Sequence, residues 1–166
     1  MPAVATVADE GSVDERDEEL LRRAIGLSER ARGHGNQPFG ALLAGPGREV
    51  LLEAENTIVT ERDPTCHAET NLLRSAVRRF DLDLLARSTM YTSCEPCPMC
   101  AGTAYWANVR RVVFGLDLPT LDAIARSENP TPHLRARDVL GGGLDIVVEG
   151  PALVDEARVV HEGFWR

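Results

Sequence analysis

At 166 residues the chain is long enough for one domain with a real core, and 43% hydrophobic and 27% charged residues are ordinary for a globular protein. A net charge of −8 speaks against a polyanionic ligand such as nucleic acid, whose binders usually carry a basic stripe, and leaves small molecules favoured. No apolar run approaches the roughly 18 residues of a membrane span, and the acidic N-terminus lacks the apolar centre of a secretory signal, so a cytoplasmic protein is expected.

In chain order, residues 1–12 read as a solvated acidic tail and 13–166 as a single domain. From about Asp14 to Gly33 the apolar positions Leu20, Leu21, Ala24, Ile25 and Ala31 recur at helical spacing, and Gly33-His34-Gly35-Asn36 stops the helix. Phe39 to Ala44 predicts a strand, Gly45-Pro46-Gly47 a turn, and Val50 to Ala54 an antiparallel partner continuing toward Val59. Asp63-Pro64-Thr65 opens a helix whose apolar face is Leu72, Leu73, Ala76, Val77 and Phe80. Thr89 to Thr92 is a brief strand. Pro96 and Pro98 punctuate the entry to a helix from Cys97 to about Ala107, where proline is tolerated in the first turn. Val112 to Phe114 is a further strand, and a short helix is expected from Pro119 to about Ser127. A Pro-rich loop, a Gly141-Gly142-Gly143 run, a strand from Leu144 to Val148 and a helix from about Pro151 to Phe164 complete the chain. Strands alternating with helices predict an α/β fold: a three-layer α/β/α sandwich on a five-stranded mixed sheet. The helix between the last two strands favours a parallel crossover there.

The four cysteines are Cys66, Cys94, Cys97 and Cys100. Their clustering beside His67 suits metal binding in a reducing compartment better than a disulfide framework. His67, Cys97 and Cys100 can supply the three protein ligands of a catalytic zinc and leave the fourth position to water. Glu69 lies beside them and could move protons to and from that water. His-x-Glu followed by Pro-Cys-x-x-Cys is the signature of zinc nucleobase deaminases. Two such motifs, each at a helix start, outweigh the reading of a solvated first-turn carboxylate beside unrelated thiols. Cys94 reads as packing, or as a fourth ligand that would close the site.

The runs Asp63-Pro64-Thr65-Cys66-His67-Ala68-Glu69 and Thr92-Ser93-Cys94-Glu95-Pro96-Cys97-Pro98-Met99-Cys100 resemble the cytidine deaminase-like superfamily. The resemblance covers nearly the whole chain, from Asn36-Gln37-Pro38-Phe39-Gly40-Ala41 to the final helix. The second run is most similar to guanine deaminases and their nucleoside-deaminase relatives. The resemblance implies one zinc ion per chain, held by His67, Cys97 and Cys100 with a bound water or hydroxide, and Glu69 as proton shuttle. It further implies substrate contacts from Asn56, the Ala68 backbone N–H, the apolar wall of Phe39 and Trp106, and a homodimer. Trp106 equally suits the core. Phe164 and Trp165 either cap the pocket or, as favoured here, anchor the last helix.

The expected activity is hydrolytic deamination of an amino-bearing nucleobase or nucleoside with release of ammonia, in purine metabolism if the substrate is guanine, the favoured base. Alternatives are cytosine or another aminated heterocycle such as a triazine, then adenosine in tRNA. A non-catalytic zinc module is the reading from a different class. The segment Leu116-Asp117-Leu118-Pro119-Thr120-Leu121-Asp122 departs from the acidic stretch of guanine deaminases, and the C-terminal residues differ as well.

Overall fold

A computed structural model describes residues 13–126, 132 and 134–165. The acidic tail expected over 1–12 lies outside the described residues.

Helix α1 (Glu15–Gly33) begins at a capping box: the Asp14 side chain accepts from the Asp17 N–H, and Asp17 answers to the Asp14 N–H. Its buried face includes Leu20, Leu21, Ala24, Ile25, Leu27 and Ala31. Strands β1 (Gly40–Ala44) and β2 (Val50–Glu55) form the expected antiparallel hairpin. The chain then departs from expectation. Instead of extending β2, residues 58–61 form a one-turn helix, α2 (Ile58–Glu61), because the buried Asn36 carboxamide oxygen accepts the N–H groups of Val59 and Thr60. The next helix, α3 (Ala68–Ala76), starts later than Asp63-Pro64-Thr65 suggested. Asp63 instead closes an Asx turn onto the Thr65 N–H and hydroxyl, and His67 becomes the helix N-cap.

A short α4 (Leu82–Ala86) leads into β3 (Thr89–Cys94), then α5 (Pro98–Trp106) and β4 (Arg111–Leu116). Two further helices, α6 (Leu118–Ala125) and α7 (Ala136–Leu140), precede β5 (Val147–Glu149), and α8 (Val154–Val159) closes the chain. Both β5 and α8 are shorter than the apolar spacing predicted.

The sheet order is β2-β1-β3-β4-β5. β1 pairs antiparallel with β2 and β3, while β3–β4 and β4–β5 are parallel. Alternation along each strand feeds two cores. Leu42, Tyr91 and Val113 face α1, α6 and α8, whereas Leu43, Met90 and Val112 face α3, α5 and α7. The predicted three-layer sandwich on a five-stranded mixed sheet is the observed fold.

Candidate metal centre and active site

Two helices of nine residues, α3 and α5, start at the same place in space. His67 is the N-cap of α3 and Cys97 the N-cap of α5, and Pro98 occupies the first turn of α5. Cys100 lies one turn into α5, so it returns to the side of Cys97. The donor atoms of His67, Cys97 and Cys100 all lie within 4.8 Å of one another. Cys100 Sγ is 3.4 Å and Cys97 Sγ 3.7 Å from His67 Nδ1. Zinc bonds of about 2.0–2.3 Å in a tetrahedral site place neighbouring ligand atoms about 3.5–3.8 Å apart. One nitrogen and two sulfurs at these separations fit a zinc ion with a position to spare. Cys94 lies in the same cavity, but among the described residues it is not part of the metal-ligating group, and burial pushes its thiol well above the usual range.

The hydrogen bond from Cys100, helped by His67, pulls the Cys97 thiol toward thiolate, while the Cys100 thiol keeps its proton. The bond to Cys97 in turn raises the pKa of His67. Thr70 Oγ1 stands 3.5 Å from Cys100 Sγ, a support at the back of the group. Glu69 is 6% exposed, and burial, with Cys97 adding to it, pushes its carboxyl up to about 7. A carboxyl balanced near neutrality can both accept and deliver a proton.

Of these groups, His67, Glu69 and Cys97 line a cavity of about 460 Å³. Cys94, Phe39, Pro64, Met99 and Trp165 line it too, together with Leu118, Leu121, Asp122 and Ala125 of α6, which form a wall. Asn56 is buried immediately behind Phe39, whose carbonyl accepts the Asn56 N–H. Asn56 Oδ1 takes the Ile58 N–H, and Asn56 Nδ2 is one of two buried side-chain nitrogens without a hydrogen-bond partner among the described residues. Ala68 is the first residue of α3, so its N–H has no acceptor within the helix.

Trp106 does not join this group. It is 83% exposed and packs edge-on against Tyr105. It lies at the far end of α5, seven residues and therefore about 10 Å along the helix from Met99 at the cavity. The aromatic lining comes instead from Trp165, for which the sequence left open capping the pocket or, as slightly favoured, anchoring the last helix. Trp165 stacks on His161 at 9° between planes, donates its indole N–H to His161 Nδ1 at 3.2 Å, and lies 6.1 Å from the Phe39 ring. Glu95 and the α6 wall were also not singled out. Only the unusual make-up of residues 116–122 pointed there.

A family model described as the cytidine and deoxycytidylate deaminase zinc-binding region matches residues 14–116. The chain is 38% identical over 157 residues to a probable cytosine deaminase of Schizosaccharomyces pombe, covering 92% of this chain and 94% of that one. It is 38% identical over 101 residues to the tRNA-specific adenosine deaminase of Haemophilus influenzae, covering 61% of this chain and 58% of that one. The crystal structure of guanine deaminase from Bacillus subtilis superposes with a TM-score of 0.58 at 36% identity, over 64% of this chain and 68% of that one. The motifs, the metal-ligating geometry, the sheet and these similarities lead to one conclusion: the chain belongs to the cytidine and deoxycytidylate deaminase family and is a zinc-dependent deaminase.

Proposed function

We propose that the protein hydrolytically deaminates a free amino-bearing nucleobase, with cytosine ahead of guanine. The observation that carries the reaction is a buried Glu69 beside the His67, Cys97 and Cys100 donors, on a cavity lined by aromatic rings. A zinc ion held by those three side chains would supply Lewis acidity and an activated water. Glu69 takes the proton of the attacking water and delivers it to the ring nitrogen next to the amino-bearing carbon. A second transfer through Glu69 lets ammonia leave, so the products are the carbonyl base and ammonia. Asn56 Nδ2 and the Ala68 N–H are donors suited to the substrate's carbonyl or ring acceptors, and Phe39 and Trp165 pack against its faces.

The order of substrates rests on where similarity extends. The family model ends at residue 116, yet Leu118, Leu121, Asp122 and Trp165 line the cavity beyond it. The relative named as a probable cytosine deaminase matches across 92% of the chain, which must take in the α6 wall. Guanine, favoured from the motif alone, becomes the second reading. The net charge of −8 supports a small molecule over tRNA, and the active unit is proposed to be a homodimer working in the cytoplasm as one zinc-dependent domain over residues 13–166.

The test is ammonia release by the zinc-loaded protein against cytosine, guanine, adenosine and simple triazines, with Glu69→Gln alongside. One strong substrate is expected, with the variant at least about 100-fold slower and zinc content unchanged. Activity that survives Glu69→Gln with zinc bound would defeat the mechanism. Sedimentation at the 18.1 kDa chain mass instead of twice that value would remove the dimer.

A further inference from the structure

Glu95 lies in the cavity wall two residues before Cys97, yet its carboxylate has no capacity left for chemistry. It is 3% exposed. Oε2 accepts the Leu118 N–H at 3.1 Å, and Oε1 accepts the Ala136 N–H at 3.0 Å. Arg135 Nε stands 2.9 Å from both oxygens, and an Arg135 terminal nitrogen donates to Oε2 at 2.7 Å. The Glu95 backbone N–H adds a 2.7 Å bond to the Leu116 carbonyl. Every acceptor direction is therefore taken by the protein.

The partners are informative. Leu118 is the first residue of α6 and Ala136 the first of α7. One buried carboxylate thus holds the starts of two helices that are 18 positions apart in sequence. Helix α6 is the cavity wall that carries Leu118, Leu121, Asp122 and Ala125. The same residue is joined through Pro96 to the loop that presents Cys97.

We infer that Glu95 is a positioning residue that sets the distance between the substrate wall of α6 and the zinc-ligating loop, and so governs how substrate is seated. The inference rests on the deaminase reading of the cavity. A purely structural role predicts lower stability alone; a positioning role predicts a change in substrate binding that leaves the metal group and Glu69 working.

The test compares the zinc-loaded wild type with Glu95→Gln and with the milder Arg135→Gln, whose site is part-exposed. Glu95→Gln keeps the side-chain volume but removes the charge and turns an N–H toward a backbone donor. The expected result is a KM for the preferred base raised at least about tenfold, the scale of one lost charge-assisted hydrogen bond, with kcat within about threefold and one zinc retained. Arg135→Gln should move KM in the same direction by less. Backbone hydrogen exchange, which needs no substrate, should rise about tenfold or more across 118–125 while α3 and α5 keep their protection. An unchanged KM, or exchange that rises evenly across the whole domain, would overturn the inference. If the wild type releases no ammonia from any base, the deaminase reading fails and exchange alone decides whether Glu95 fixes α6.

Discussion

Trp165 reaches the cavity through contacts made by its neighbours. His161 is buried and neutral, because burial, with Arg32 adding to it, pushes its pKa down to about 4. Its Nδ1 accepts the Trp165 indole N–H, so the proton lies on Nε2. Arg32 donates to the carbonyls of Val160 and Glu162 and lies over the Phe164 ring, which fixes the segment to the end of α1. Removing the indole with Trp165→Ala should raise KM for the preferred base about tenfold or more, in keeping with the worth of stacking a base on an aromatic ring. Trp165→Phe should recover most of it. Steady-state kinetics at saturating zinc decides, and an unchanged KM in Trp165→Ala would mean the ring merely anchors the chain. At this scale the ligands were legible because their chemistry is local: two short motifs, each beside a helix start. Glu95 and Leu118 were not, because each acquires its role from partners distant in sequence, such as the 40 positions between Glu95 and Arg135, and for Trp165 the sequence left cap and anchor both open.

Between elements, a buried polar tie runs from the first turn of α1 into the sheet. Asp17 is fully buried and accepts two bonds of 2.8 Å from Arg111 of β4 and one of 2.5 Å from the Tyr91 hydroxyl of β3. Arg111 also pairs with Glu149 of β5. Burial raises the pKa of Asp17, but the bonds from Arg111 and Tyr91 outweigh it and hold the carboxyl well below the usual carboxylate range. A depressed folded value means that the stabilisation is fully present above the unfolded carboxyl pKa of about 3.9 and is lost as pH falls below it. Urea denaturation between pH 7 and pH 2.5 should therefore show a decline that Asp17→Asn flattens. At pH 7 that variant should be less stable by about 3 kcal/mol, since it breaks a buried ion pair and leaves Arg111 with Glu149 alone. A parallel pH dependence in both proteins would exclude Asp17 as the source. The long elements could be read from apolar spacing. The helices of four and five residues, α2, α4 and α7, could not, because so short a run carries barely one turn of pattern.

At the scale of the whole molecule, Trp106 is the most exposed large apolar side chain among the described residues. It lies 83% open to water, on the same helix as the part-exposed Met99. If the proposed homodimer forms through this face, Trp106→Glu should sediment as a monomer with zinc content intact; a dimer that persists would place the contact elsewhere. The sandwich itself followed from the order of strands and helices, because layer architecture depends on alternation more than on exact boundaries. The parallel pair β3–β4 has Thr89 and Arg111 at one end and Cys94 and Leu116 at the other. Arg111 and Leu116 are about 17 Å apart along the strand. The clamp of Asp17, Tyr91 and Arg111 stands at the starting end, and the cavity opens beyond the finishing end. The two ends are far enough apart for changes to add independently. A chemist seeking a new substrate can randomise the α6 wall while the opposite pole of the β3–β4 pair keeps the scaffold folded, and stability lost at one pole can be repaired at the other without touching turnover.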